Sequence, residues 1–412
     1  MGIWARLFGR EAKKVTYSAE FDSWFASKAT KSGASVDWDT ALDVTTVLAC
    51  VRAVADGVAQ VPLQIMKETD GGHGSVPAPE HPLYPVLFRK PNDWQTSFGM
   101  RETMIFHLML TGNAFFLKVM VRGKVKGLLP LEPGNVSIIR NDDYSLTYHV
   151  TTVNGQSMTV PQELVWHVRG PSWNTWLGMD ATRRAREAIG LAMATEATQG
   201  ELHANGMQMS GVLSSDQKID PEKYKQLQAW IAAQVGGANK HKPLVIDSGL
   251  EWSPRSMTGV DAQHLETRKH QIVEICSAFK VFPQMVGFSD KTSTFASAEA
   301  FFDAHIKHTL LPWWERIEAS INCDLLGDDF DNGYCAKFDS WALERGATKD
   351  RSEYFTKALG SGGSPAWMTQ DEVRAKEGLN PMGGDASQLP KPTNVAPAGG
   401  DNGGKPPKGN NQ

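Results

Sequence analysis

Apolar residues along the chain recur with two different periods, and the changes between them divide it into segments. Val44, Val47, Leu48, Val51, Ala55 and Val58 fall at helical spacing until Pro62 closes the run, which predicts a helix beginning near Asp43. A turn-rich connector, Pro77 to Pro82, follows. Phe98 to Leu110 has the helical period again, with Met104, Ile105, Leu108 and Met109 on one side. Strand patterns then take over at Ala114–Val119, Val136–Ile139, Thr147–Val150 and Leu164–Val168, separated by Gly123, Pro133-Gly134 and Asn154-Gly155. The last pair is a strong hairpin signal. Residues 39–181 therefore read as a mixed α/β unit, and residues 1–38, which hold no sustained period, as an N-terminal arm.

The next helix is of another kind. Over residues 182–207 Ala185, Ala188, Ile189, Ala192, Met193 and Ala197 form a face of mostly small residues beside Arg183, Arg184 and Arg186, suited to close packing on a long neighbour. A compact insert, residues 208–259, comes after it. It has a short strand at Val212-Leu213 and a helix with Asp220 as N-cap and Pro221 at the first position. Tyr224, Leu227, Ile231 and Val235 give that helix a face, and strands are predicted at Leu244–Ile246 and Leu250–Trp252. A second long helix, residues 260–279, carries Leu265, Ile272, Ile275, Cys276 and Phe279. A small α/β cap is thus bracketed by two long helices.

The polar stretch Val286 to Thr294 leads into the longest periodic run, Phe302, Ile306, Leu310, Trp313, Ile317 and Ile321. Pro312 lies inside it, removes a backbone donor and crowds the preceding turn, so a kink is predicted near His308 to Leu311. Beyond Asp339 helices are predicted over Arg345–Ala358 and Thr369–Lys376. From Pro381 the composition of Gly, Pro, Asn and Lys predicts a tail without fixed structure. The fold class expected is α+β.

A length of 412 residues allows two or three packed units, and 41% apolar with 21% charged residues fits a folded chain. The net charge of -4 changes the functional picture. Proteins that grip DNA tightly through its phosphates carry a basic excess, so any DNA contact here is expected to be loose, local or permissive of sliding. Four cysteines without a C-x-x-C pair are expected to be reduced thiols. No run of about 18 apolar residues suggests a membrane span, and no signal peptide is expected at the start. Thirteen tryptophans suit protein interfaces.

Catalytic motifs are missing: there is no G-x-x-x-x-G-K-[ST] loop, no G-x-G-x-x-G after a strand and no H-E-x-x-H. His305 and His308 stand one turn apart, but no third metal ligand is evident. Asp324, Asp328, Asp329 and Asp331 miss the spacing of an EF-hand and read as a solvated acidic turn. His264 and His270, flanking Arg268 and Lys269, read as a solvated or inter-subunit face. Ser289 to Thr294 has no base beside it. No catalytic residue, metal or cofactor is expected, and the chain is not expected to be an enzyme.

A series of short stretches in order, however, resembles the portal proteins of tailed bacteriophages of the long-tailed type. They are Val47–Arg52 with Val61-Pro62-Leu63, His81-Pro82-Leu83 with Lys90-Pro91-Asn92, Thr111–Phe115, and Leu129-Pro130-Leu131. Gly206 with Gly211-Val212-Leu213, Leu265–Lys269, Phe282-Pro283, Thr309–Pro312 and Asp371–Arg374 complete the set, which spans about residues 40 to 385. The resemblance implies a wing over 39–181 and part of 280–340, stem helices at 182–207 and 260–279, and a clip at 208–259. It also implies a channel loop and kinked helix within 280–340, a helical crown over 341–385 and a disordered tail over 386–412.

It further implies a homo-oligomeric ring, twelve-fold, at one capsid vertex of the virion, assembled in the host cytoplasm. Double-stranded DNA would pass through it during packaging and ejection. The partners implied are the terminase large subunit, major capsid and scaffold proteins and a head-completion adaptor, with no membrane. The loop after the second stem helix would project into the channel. Here that loop is Phe288, Ser289, Asp290, Lys291, Thr292, Ser293 and Thr294, with one basic residue. Arg268 and Lys269 are candidates to face the channel. Glu222, Lys223 and Lys225 are candidates for the motor or adaptor contact, or alternatively for contacts between subunits. Two other readings stay open: a head–tail adaptor or other ring protein that does not translocate DNA, and a metal-dependent nucleic-acid enzyme.

Overall fold

The computed structural model describes residues 28–69, 74–152, 154–204, 211–215, 220–235, 250–254, 260–288, 295–340, 348–360 and 365–390. The chain forms two compact units, Met1–Phe338 and Asp339–Gln412.

Within the arm predicted over 1–38, residues 28–38 hold regular elements. A small hairpin pairs β1 (Lys28–Ala29) with β2 (Ser35–Val36) and leads into α1 (Trp38–Leu42). Asp37 caps that helix: its carboxylate accepts the Thr40 N–H at 2.8 Å while the Thr40 hydroxyl accepts the Asp37 N–H at 2.9 Å. Two-residue strands carry no readable period, which is why the sequence pattern missed them. Residues 1–27 lie outside the described residues.

Two long helices form the centre: α2 (Thr45–Ala59) and α3 (Ser97–Thr111), which pack together. Val47, Val51, Ala55 and Val58 of α2 are buried as predicted, with Cys50 and Val54, whereas Leu48 is exposed. Arg101 of α3 is buried without a carboxylate. Its Nε and Nη2 both donate to the Ala59 carbonyl, at 3.1 and 2.7 Å, and its Nη1 donates to the Ser97 hydroxyl, so the carbonyl end of α2 and Ser97 satisfy its donors. Burial alone lowers its pKa to about 10.

The strands form antiparallel sheets. In one, β5 (Asn113–Val121) lies between β10 (Val165–Arg169) and β6 (Lys124–Leu131). Ala114, Phe115, Phe116 and Leu117 are all buried, because this central strand is covered on both faces. Phe115 and Leu117 join a core with Val136, Ile138, Tyr148, Val150 and Val160 of a second sheet, β7 (Val136–Arg140), β8 (Leu146–Thr151) and β9 (Ser157–Pro161). Phe116 instead stacks on Trp166, ring centroids 5.1 Å apart. Burial of each such side chain contributes about 2–3 kcal/mol. The predicted strands at 114–119, 136–139, 147–150 and 164–168 are all present; β6 and β9 were not predicted. Pro130 sits in β6, an edge strand that tolerates a residue without an N–H.

A third sheet joins distant segments. β3 (Leu63–Glu68) pairs with β4 (Ser75–Pro77) on one side and with β13 (Tyr334–Phe338) on the other, Ala336 opposite Ile65. Thus residues 334–338, at the end of the first unit, return to pair with a strand near its beginning.

The helix pair around the insert runs antiparallel. In α4 (Ala181–Ala204) and α6 (Val260–Ala278), Arg268 Nη1 donates to Gln199 Oε1 at 3.1 Å, and Gln271 Nε2 donates to Thr195 Oγ1 at 3.3 Å. Rising numbers on one helix meet falling numbers on the other. Between them in sequence stand β11 (Gly211–Ser215), α5 (Pro221–Val235) and β12 (Leu250–Pro254), with β11 and β12 paired. The strand predicted at 244–246 lies outside the described residues. Gly190 of α4 lets the N-terminal hairpin close in: a Cβ there would overlap Thr30.

The long periodic run is not one uniform helix. It comprises α7 (Phe295–His305), a π-helical turn Ile306–Leu310 and α8 (Leu311–Ile321). The irregularity falls immediately before Pro312, where the missing N–H and ring are accommodated by the wider turn. The backbone stays helical through it: Leu311 has φ −53 and ψ −44, and its N–H reaches back to the Ile306 carbonyl. The extra residue in that turn rotates the apolar stripe. Leu310, Trp314, Ile317 and Ile321 are buried, but Phe302 is 60% exposed and Trp313 only half-buried, contrary to the uninterrupted stripe predicted. A short helix, α9 (Asp328–Asp331), precedes β13. The acidic turn is partly engaged rather than wholly solvated, since Asp329 Oδ2 lies 3.1 Å from Nε2 of buried His81.

In the second unit, α10 (Thr348–Ala358) is followed by a return segment in which the Trp367 N–H bonds the Ala358 carbonyl at 3.0 Å. Trp367 packs edge-on against Tyr354 at 5.5 Å. α11 (Gln370–Lys376) starts with a capping box between Thr369 and Glu372. Residues 381–390, which fall within the tail predicted from Pro381, take a defined course. The Asp371 carboxylate collects the Met382 and Gly383 N–H groups at 2.7 and 3.0 Å and the Ser387 hydroxyl at 3.0 Å, fixing a 3₁₀ turn at Gly384–Ser387. Those bonds hold its carboxyl below the usual range. Residues 391–412 lie outside the described residues.

Candidate channel interface

The topology puts the insert at one end of the α4–α6 pair and the base of the 289–294 loop at the other. The descent into that loop is built from unusual backbone. After α6, Lys280 adopts φ 56, a left-handed conformation costly for a side chain with a Cβ, and the Val281 N–H returns to the Cys276 carbonyl at 2.9 Å. The Lys280 N–H returns to the Ser277 carbonyl at 3.2 Å, and its carbonyl accepts a hydrogen bond from the buried Thr309 hydroxyl, 3.0 Å. Phe282-Pro283 then opens a 3₁₀ turn, Pro283–Val286, closed by Gly287 at φ 80. Phe288 is half-buried, and its N–H bonds the Pro283 carbonyl at 3.0 Å.

The far side of the loop is tied to the near side. Phe301 of α7 packs against Phe282, centroids 6.3 Å apart. The π-helical turn that supplies Thr309 is itself seated on α2: a Cβ on Gly57 would come within 2.8 Å of the Leu310 methyls, so the turn lies against the helix where a side chain is absent. Thr309, Leu310, Phe301 and Gly57 were not singled out from sequence as supports of the loop. The only signal was the order Thr309-Leu310-Leu311-Pro312, which gave the proline and not the threonine a role.

Ser289, Asp290, Lys291, Thr292, Ser293 and Thr294 lie outside the described residues. Arg268 and Lys269 are exposed in the middle of α6, and the guanidinium of Arg268 is directed along α4 by its bond to Gln199. Glu222, Lys223 and Lys225 are exposed in the first turns of α5, at the opposite end of the helix pair. Among the described residues these groups therefore stand on two separate helices, Arg268 and Lys269 on α6 and Glu222, Lys223 and Lys225 on α5. His305 is buried, with burial lowering its pKa, while His308 is exposed, so the two do not form a pair of ligands. Among the described residues no group of three or more His, Cys, Asp or Glu side chains is placed to hold a metal, and no helix is long and apolar enough to cross a membrane.

The start of α4 is set by a second buried arrangement. Asn113 Oδ1 lies 3.0 Å from His167 Nε2 and accepts the Gly178 N–H at 2.8 Å, and Tyr148 Oη lies 3.1 Å from His167 Nδ1. Burial keeps His167 well below its usual pKa and therefore neutral, so Nε2–H donates to Asn113 and Nδ1 accepts from Tyr148. Gly112 ends α3 at φ 76, and a Cβ there would overlap the Met179 carbonyl. Asp180 then caps α4 by accepting the Arg183 N–H at 2.8 Å; burial raises its pKa to about 6.

The fold is thus an antiparallel helix pair with a β-containing insert between its helices, carried on a mixed α/β body. The sequence pattern described as phage portal protein matches residues 45–378, and the chain belongs to that family. It is 27% identical over 405 residues to a probable portal protein of Streptomyces phage phiC31, covering 93% of this chain and 86% of that one. It is 26% identical over 357 residues to the portal protein of Enterobacteria phage HK97, covering 86% and 83%. Its fold is similar to a chain in the neck of a native gene transfer agent particle, with TM-score 0.57 at 22% identity, covering 83% of this chain and 92% of that chain. The protein is accordingly a structural portal subunit of the phage capsid.

Proposed function

We propose that this chain assembles into a twelve-fold ring at one capsid vertex, through which double-stranded DNA passes during packaging and ejection. The observation that carries this reading is the loop base. A loop that must meet a moving polymer needs fixed ends, and Lys280, Thr309, Phe282 and Phe301 supply them on both sides. Twelve-fold symmetry has support from the similar neck structure, which was computed with C12 symmetry. Membership of the portal family favours this reading over an adaptor that does not translocate DNA and over a nucleic-acid enzyme.

Phe288 through Thr294 form the channel loop in this reading, with Lys291, Ser289, Thr292 and Ser293 touching the duplex. A subunit of net charge -4 offering one lysine per loop makes each contact weak. Each phosphate neutralised by a fixed cation strengthens salt-dependent binding, and a ring of copies multiplies whatever grip one loop has. Arg268 and Lys269 add positive charge along the channel. Residues 39–181 and the latter part of 280–340 make the wing, joined through the β3–β13 pairing. Residues 182–207 and 260–279 are the stem, 208–259 the clip, and 341–385 the crown.

The clip, with Glu222, Lys223 and Lys225, receives the terminase large subunit during packaging and a head-completion adaptor afterwards. Capsid and scaffold proteins meet the ring during assembly in the host cytoplasm. The DNA content of particles carrying Lys291→Ala with Ser289→Ala tests the loop. Reduced packaging or premature DNA loss is expected, and wild-type DNA retention would refute the contact.

A further inference from the structure

Cys50 of α2 and Cys276 of α6 lie 226 positions apart in sequence, yet their Sγ atoms are 3.7 Å apart and both side chains are fully buried. Both are free thiols. A disulfide needs an S–S separation of about 2.05 Å. The sulfurs therefore start in van der Waals contact and have to close by less than the width of one atom. Cys335, half-buried, and Cys323, exposed, have no thiol partner among the described residues.

We infer that Cys50 and Cys276 form a latent cross-link site, closed by a peroxide into a disulfide that ties α2 to the C-terminal half of α6. One thiolate attacks a peroxide oxygen and displaces hydroxide, which becomes water on protonation, leaving a sulfenic acid. The second thiol attacks that sulfur, and the hydroxyl leaves as a second water. Two sulfurs are oxidised by one electron each, and the two peroxide oxygens are reduced by one electron each, so the step balances as two thiols and one hydrogen peroxide to one disulfide and two waters. Both sulfurs are shielded, so closure is slower than oxidation of the exposed Cys323. Once made, the bond is equally shielded from reductant. It would restrain the helix that leads into the 289–294 loop, and it stands whether or not that loop meets DNA.

The full-length native protein is treated with hydrogen peroxide, unfolded in an alkylating reagent and mapped by peptide mass spectrometry. The expected product joins the peptides of α2 and α6 with the loss of two hydrogens. It should survive dithiothreitol under native conditions and be released by the same reagent after unfolding. The thermal midpoint of the oxidised protein should rise by a few degrees and return after reduction of the unfolded chain and refolding. Cys276→Ser should abolish the linked peptide, and Cys323→Ser should leave it. If a serine variant fails to fold, the wild-type peptide map still decides the matter. Cys50 and Cys276 recovered as alkylated thiols, as sulfonic acids, or joined to Cys323 or Cys335 would each overturn the assignment.

Discussion

The Thr309 hydroxyl donates to the carbonyl of Lys280 at 3.0 Å, joining a residue in a π-helical turn to one held in the left-handed region 29 positions earlier. Both ends of the 289–294 loop are disciplined through this bond, because Thr309 belongs to the run that follows the loop and Lys280 to the segment that enters it. Thr309→Val keeps the shape and removes the donor, leaving a carbonyl short of a partner. A loss of about 1–2 kcal/mol in unfolding free energy is expected, with faster proteolysis at the loop, and Thr309→Ser should restore most of it. Unchanged denaturant midpoints for the valine variant would show that Lys280 is held otherwise.

Gly57 and Leu310 should be coupled. Gly57→Ala places a methyl where the Leu310 methyls lie within 2.9 Å, so about 1–2 kcal/mol of destabilisation is expected. In a Leu310→Ala background the same substitution should cost much less. A double-mutant cycle on thermal unfolding reads the coupling, and strict additivity would refute the contact.

Gly112→Ala is expected to be the most damaging single change of this set. The position combines φ 76 with overlap against the Met179 carbonyl, so roughly 3 kcal/mol or more should be lost. Expression and solubility, followed by circular dichroism melting, check it.

Acid should weaken the first unit through His107 of α3. Its Nδ1 is buried without a partner, and burial lowers its pKa to about 4 from an ordinary 6.5. The unfolded chain therefore binds this proton more readily than the folded one between those values. The stability contribution is complete above pH 6.5 and falls as the pH drops toward 4, by an amount on the order of 2–3 kcal/mol. His107→Gln should flatten the pH dependence of urea unfolding in that window. Asp180, raised to about 6, acts with the opposite sign, gaining stability as pH falls from 6 toward 4, so Asp180→Asn should steepen it.

Much of the helical framework was legible because long amphipathic stretches carry their own period: α2, α3, α4 and α6 stand where the pattern put them, and the run around Pro312 is helical but interrupted. Central strand β5 was legible as a continuous apolar run. The β3–β13 pairing was not, since nothing in residues 63–68 specifies a partner as remote in sequence as residues 334–338. The stripe before Pro312 was misphased because one extra residue in a π-helical turn rotates every earlier side chain. Two of the stretches behind the family resemblance hold backbone devices: Gly112 ends a helix where a Cβ would clash, and Asp371 gathers two amides and a hydroxyl. At the loop, the order of residues placed Pro312 but gave no sign that Thr309 makes the anchoring bond.

Electron microscopy of the purified full-length protein under assembly conditions tests the central claim most directly. Closed rings with a central hole wide enough for a DNA duplex are predicted, with the 289–294 segment at its narrowest level. A preparation that remains monomeric, or that forms rings with this segment on the outer surface, would contradict the account.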